Sequence, residues 1–165
     1  MKILVLSDTH GNRDFMYRCI DLFKPDAVVH LGDHYDDGQV LAEEYRHLTV
    51  HQVPGNCDRY RCPPFAREVL CYNVCGVRLF MTHGHTHHVK SGTGALIADA
   101  RRENAQAVLY GHTHKPDCRQ LEDGLWVLNP GSSGYSGGTA GIIKTDGEKI
   151  TSCYFITQAD LEEMK

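Results

Sequence analysis

The stretch "KILVLSDTHGNRDFMYRCIDLFKPDAVVHLGDHYDDGQVLAEEYRHLTVHQVPGN", residues 2–56, decides the fold class. Four apolar residues, Ile3 to Leu6, end in polar ones, as a buried strand does. Phe15, Met16, Cys19, Ile20 and Phe23 follow at helical spacing, and Pro25 closes that helix. "AVVHLGD" (27–33) is a second buried strand, "DDGQVLAEEYRH" (36–47) a helix, and "LTVHQVPGN" (48–56) a third strand stopped by Pro54-Gly55. The order β-α-β-α-β favours parallel strands joined by helices.

Beyond residue 60 the rhythm changes. "AREVLCYNVCGVRLFMTHG" (66–84) predicts a hairpin turning near Asn73 to Gly76, and "SGTGALIADARREN" (91–104) a helix with Leu96, Ile97 and Ala100 inward. "QAVLYGH" (106–112) is another buried strand. The runs "KPDCRQLE", "LWVLNPG", "TAGIIKTDG" and "KITSCYFIT" look antiparallel, with Asp146-Gly147 as a hairpin turn. "GSSGYSGG" (131–138) is Gly/Ser-rich but lies between structured runs, so it reads as a loop rather than a linker. Two sheets packed together with outer helices satisfy this α/β pattern, as one domain over 1–165.

Composition excludes several classes. The apolar fraction of 41% and charged fraction of 23% are ordinary for a globular chain, and no apolar run reaches the roughly 20 residues of a membrane span. Asp8 interrupts the short apolar start, so a secretory signal is not expected. A net charge of −4 without a basic run argues against an extended nucleic-acid surface. It leaves room for a small anionic substrate, because bound cations would reverse the local field. The seven cysteines are odd in number and contain no C-x-x-C pair, which points to reduced thiols and a cytoplasmic location.

The predicted strands end in metal-binding side chains. Asp8 and His10 follow the first strand, Asp33 the second, and Asn56 and Asp58 the third. His83 and His85 follow the hairpin, and His112 and His114 end "LYGHTH". In sheets of this kind ligands bind beyond the carboxyl ends of the strands, so these residues are expected to share one crevice. Taken singly, Asp8 reads as a helix cap, His10 as a turn residue, Asp33 and Asn56 as turn formers, and His87 and His88 as solvated. Together, imidazole, carboxylate and one amide suit borderline divalent metals, and they outnumber the ligands of a single tetrahedral ion. Two ions about 3.5–4 Å apart, bridged by a carboxylate, would use them all.

The ordered set "DTH" (8–10), "GD" (32–33), "GNCD" (55–58), "HGH" (83–85) and "GHTH" (111–114), extended by "LNPGS" (128–132), resembles the calcineurin-like metallophosphoesterase superfamily. Its brevity and "GNCD" look most like the small YfcE-type phosphodiesterases. The resemblance implies a four-layer αββα sandwich of two mixed β-sheets flanked by helices. It implies that Asp8, His10 and His114 hold one divalent ion, that Asn56, His83 and His112 hold another, and that Asp33 bridges. The implied ions are divalent, manganese foremost, with nickel, zinc, iron and cobalt also suited to such ligands. It further implies attack on a phosphodiester by a hydroxide bridging the ions, with Asn56 touching phosphate and His85 a candidate for orienting the ligand.

One departure stands out. Many monoesterases of the superfamily carry G-N-H-[DE], whose histidine contacts phosphate and protonates the leaving group. Here that position is Cys57, a poor substitute at a reference pKa near 8.5, and Asp58 is left as a positioning residue. A small diester substrate is therefore expected. The alternatives are a phosphomonoesterase and a non-catalytic interaction module, as in the retromer subunit of this fold. Homo-oligomers are admitted. Specificity is expected from the loops 34–38, 59–64 and 131–138, where Tyr35, Tyr60 and Tyr135 are candidates for stacking on a base.

Overall fold

Strand β1 (Lys2–Leu6) sends alternate side chains into two different cores, and the layers of the molecule follow from that alternation. The computed structural model describes residues 1–135 and 137–164; Ser136, inside the Gly/Ser-rich loop, and Lys165 lie outside the described residues. After β1 come α1 (Asp14–Phe23), β2 (Ala27–His30), α2 (Tyr35–Glu44) and β3 (Thr49–Gln52). The second half runs β4 (Val69–Val74), β5 (Val77–Thr82), α3 (Gly94–Arg102), β6 (Ala107–Leu109), β7 (Asp117–Gln120) and β8 (Trp126–Asn129). It ends with β9 (Thr139–Thr145), β10 (Ile150–Thr157) and α4 (Gln158–Glu163).

The strands form two five-stranded sheets, ordered β10-β9-β1-β2-β3 and β4-β5-β6-β8-β7. Each is mixed. β1, β2 and β3 are parallel, as are β5, β6 and β8, and antiparallel strands complete both sheets. Ile3, Val5, Val29 and Ile143 meet Leu79, Met81, Leu109 and Leu128 between the sheets. Leu4, Leu6 and Val28 face outward under Phe15, Met16, Cys19 and Ile20 of α1, with Leu41 of α2 and Leu161 of α4 completing that layer. On the far side Phe80, Val108 and Val127 pack against Leu96 and Ala100 of α3. This is the expected αββα sandwich. Each strand buried on both faces reads as a continuous apolar run for that reason.

Two departures from the sequence reading have simple causes. "LWVLNPG" looks antiparallel, yet β8 runs parallel to β6. β7 and β8 form a hairpin that places β7 at the sheet edge, and two reversals after β6 restore the original direction. The helix α4 is absent from the sequence reading although Thr157 caps it: the Asp160 carboxylate accepts the Thr157 N–H at 2.6 Å, and Leu161 is buried. The β4–β5 turn falls at Cys75-Gly76, where both residues have positive φ as a two-residue hairpin of this hand requires.

Candidate metal centre

The six parallel strands point their carboxyl ends at one edge of the sandwich, and the loops there carry the candidate ligands. Five of those ligands sit in strained left-handed backbone: Asp8 (φ 54°), His10 (48°), Asp33 (54°), His112 (66°) and His114 (58°). Such strain persists only where surroundings enforce it, and it concentrates at functional sites. Close backbone packing enforces it here. A Cβ on Gly32 would lie 2.7 Å from the Pro54 carbonyl carbon, and one on Gly55 would lie 2.9 Å from Asp33 Cγ. The two loops can touch only as glycines.

Asp8, His10, Asp33 and His114 each offer a ligand atom within 4.8 Å of the others. His114 Nε2 lies 3.0 Å from Asp8 Oδ1, and His10 Nε2 lies 3.5 Å from His114 Nε2. Asp33 Oδ2 stands between this group and a second, 3.9 Å from His10 Nε2 and 3.5 Å from His83 Nε2. His83 Nδ1 donates to the Leu31 carbonyl at 2.8 Å, which fixes its tautomer and leaves the Nε2 lone pair facing Asn56 Oδ1 at 3.1 Å. The His112 ring centroid is 5.1 Å from that of His83. The second group is looser than the first: the seven candidate residues share one crest, and four of them lie within mutual reach of a single ion.

Electrostatics favour a cation. Asp8 and His83 are fully buried, and Asp33 nearly so. Burial raises Asp8 to about 6, against the opposing Ser7 hydroxyl hydrogen bond and the facing His114. Burial also pushes on Asp33, but His83 and the Cys57 N–H (2.9 Å) outweigh it and hold that carboxyl below its usual range. Burial lowers His10, His112 and His83, the last to about 4, so neutral imidazoles face the two carboxylates. Imidazole lone pairs, carboxylates and an amide oxygen, with few proton donors among them, fit divalent metals of the borderline class.

The remaining sequence candidates fall into different places. Asp58 is fully buried and accepts the N–H groups of Gly55 (2.7 Å), Asp33 (2.8 Å), His34 (2.8 Å) and Tyr35 (2.9 Å). It ties the Asp33 loop to the Asn56 loop at the start of α2. Cys57 is exposed beside Asn56, yet partial desolvation of its sulfur, followed by the Asp33 carboxylate, pushes its thiol up to about 11. His85 lies on the rim, its ring centroid 5.4 Å from that of His83 and its Nε2 3.8 Å from Glu68. Tyr60 is exposed, whereas Tyr35 is buried and unavailable for stacking. The Tyr135 ring lies 4.8 Å from that of His10 and 5.6 Å from that of His114, against the centre itself.

Several supporting residues escape sequence reasoning. Ser132 Oγ donates to the Asp8 carbonyl at 2.8 Å. Asn129 donates to Gly111 O and Thr113 Oγ1 and so holds the His112–His114 loop; both residues lie in "LNPGS". His30 is fully buried, accepts the Gly32 N–H at Nδ1 and reaches Thr9 Oγ1 with Nε2 at 3.1 Å. Nothing in "AVVHLGD" distinguishes it from a strand residue.

These imidazoles set the pH dependence of the metal-free protein. Burial lowers His30 and His83 to about 4. The unfolded chain, titrating near 6.5, therefore takes up protons first, and stability present above pH 6.5 is lost as pH falls toward 4. Asp8 has the opposite sign: its contribution is fully present below its unfolded value near 4 and lost as pH rises through 6. His10 and His112, also lowered by burial, act in the same direction as the two deeply buried imidazoles, so the balance is a net loss of stability on acidification. The urea midpoint of chelator-treated protein is expected to fall between pH 7.5 and 4.5, and a constant midpoint would contradict this balance.

The fold and site together define an αββα sandwich with a crest of candidate Asp/His metal ligands. Residues 1–148 match the model of the calcineurin-like phosphoesterase superfamily domain, and the chain belongs to that family. A protein of Mycoplasma pneumoniae named as a probable metallophosphoesterase is 31% identical over 134 residues, covering 79% of this chain and 78% of the relative. A phosphodiesterase of Methanocaldococcus jannaschii is 28% identical over 165 residues, covering 88% of this chain and 94% of its own. Among solved structures, a predicted phosphoesterase of Streptococcus pneumoniae superposes with a TM-score of 0.75 at 27% identity, covering 96% of this chain and 90% of that one. Zinc-complexed Vps29 of Entamoeba histolytica shares the fold, with a TM-score of 0.72 at 20% identity over 96% of this chain and 99% of its own. Among the described residues no helix is long and apolar enough to cross a membrane.

Proposed function

We propose that this metallophosphoesterase is a binuclear metal-dependent phosphodiesterase acting on a small diester. The carrying observation is the position of Asp33, whose Oδ2 faces His10 on one side and His83 on the other. Asp8, His10 and His114 would hold one ion, and Asn56, His83 and His112 the other, with Asp33 shared. Bound divalent ions supply Lewis acidity and an activated water at neutral pH. His83 contributes a fixed Nε2 lone pair, and Asn56 presents an exposed amide from which a phosphate oxygen can accept a hydrogen bond.

A groove of about 610 Å³ leaves the centre on the Asn56–His85 side, lined by Pro54, Pro64, Arg59 and Glu68. It offers one ester arm of a bound diester a partly apolar wall with Arg59 among its lining residues, within the size range of ligand sites. On the opposite side Tyr135 closes over His10 and His114. Diester preference rests on Cys57. A thiol pushed up to about 11 is a weak proton donor to a leaving alkoxide, so esters with better leaving groups are favoured.

Metal-stripped protein reloaded with Mn, Ni, Zn or Mg is expected to cleave an aryl phosphodiester faster than the corresponding monoester. Cys57→His is expected to raise the monoester-to-diester ratio by about 10²-fold, the lower end of general-acid effects. Monoester preference in the unaltered protein would remove the diester assignment. Two tightly bound ions without turnover on any ester would favour the interaction-module alternative, for which the Vps29 fold match is the specific observation.

A further inference from the structure

The sandwich has two open seams, one on each side, where the edge strand of one sheet lies against the edge strand of the other. At the β3/β4 seam, His51 of β3 and the Tyr72 hydroxyl of β4 close the gap with a hydrogen bond of 2.9 Å. At the opposite seam, β7 and β10 meet, and the facing groups are Cys118 and Cys153. Their sulfurs are 3.4 Å apart, both are free thiols, and both pack against the rim of the core between the sheets. A disulfide needs the sulfurs at about 2.0 Å, so forming one requires the two side chains to close the remaining gap. None of this serves the metal centre.

We infer that Cys118 and Cys153 are a site of reversible oxidative modification, forming a disulfide that staples the edge strands of the two sheets. The oxidant is a low-molecular-weight disulfide. The Cys118 thiolate attacks one of its sulfurs and releases a first small thiol, leaving a mixed disulfide on Cys118. Cys153 sulfur then attacks Cys118 sulfur and releases the second small thiol. The two protein thiol protons end on the two released thiols, so the protein loses two hydrogens and the oxidant is reduced.

The order of attack follows from the environment. Cys118 is the less deeply buried of the pair, and the shared S–H···S contact holds it below the usual thiol range while raising Cys153. By contrast Cys19 is buried on the inner face of α1, where desolvation pushes it up to about 12. The closed ring would span 35 positions and contain β8, the loop from 131 to 138 and β9. Asn129 and Ser132, which brace the Asp8 and His112 loops, lie inside it. Constraining a ring of that size in the unfolded chain stabilises the folded one substantially.

The test is incubation of the whole protein with glutathione disulfide, followed by thiol counting, non-reducing peptide mapping and thermal unfolding. The expected result is a fall from seven free thiols to five, a 118–153 linked peptide pair, and a melting temperature higher by about 5–10 °C. Dithiothreitol should reverse all three. Cys118→Ser and Cys153→Ser should each lose the linked pair and the thermal shift. Mapping of the unaltered protein decides the matter even if a variant fails to fold. A stable glutathione adduct on Cys118, a different linked pair in its place, or seven thiols that persist would each overturn the assignment.

Discussion

Replacing Asp33 with alanine is expected to lower metal-dependent ester hydrolysis by at least ~10³-fold, equivalent to about 4 kcal/mol of lost transition-state stabilisation. The size follows from its location. Asp33 Oδ2 faces His10 at 3.9 Å and His83 at 3.5 Å from the two halves of the centre, whereas Asp8 is drawn to one side by His114. Asp8 Oδ1 is 3.0 Å from His114 but 4.0 Å from His83. Metal content should fall with activity. Stability should change less, because the variant removes a buried charge that repels Asp8 while giving up one hydrogen bond from the Cys57 N–H. Asp33→Asn keeps that acceptor and the shape, and isolates the missing charge. Either variant retaining near-normal turnover with its full metal content would remove the shared-carboxylate arrangement.

The layers of the fold were legible because each buried strand is apolar on both faces, as in "KILVL" and "AVVH", and each helix shows one apolar stripe. The direction of β8 was not, because "LWVLN" carries no mark of which neighbour it pairs with; its direction depends on β7 lying at the sheet edge. The ligand set was visible as short motifs, since metal chemistry restricts residue type and sharp turns restrict the neighbours to glycine. The supports were hidden. Ser132 and Asn129 act across more than a dozen positions of sequence on backbone groups of other loops, and such contacts impose no local pattern. Likewise Tyr35 and Tyr135 look equivalent as loop aromatics, yet the first is buried at the start of α2 and the second leans on the centre.

Asp58→Ala is expected to destabilise the protein more than any ligand substitution, by about 4 kcal/mol, lowering the melting temperature by roughly 10 °C. Four backbone N–H groups converge on this one carboxylate, all within 2.9 Å. Alanine would leave them buried without an acceptor, and the loss of each charge-assisted bond costs more than a neutral one. The carboxylate also sits at the N-terminus of α2, where its charge is favourable. Asparagine is no rescue, because its amide presents an N–H₂ to two of the four donors. Asp58→Asn should therefore recover less than half of the loss. Metal affinity should fall in both variants, since these bonds help to hold the Asp33 and Asn56 loops in register. Saturating metal should then restore part of the thermal stability by binding the folded form. A variant that melts normally but hydrolyses nothing would show instead that Asp58 takes part in the chemistry, and its place as a buried brace between the Asp33 and Asn56 loops would be wrong.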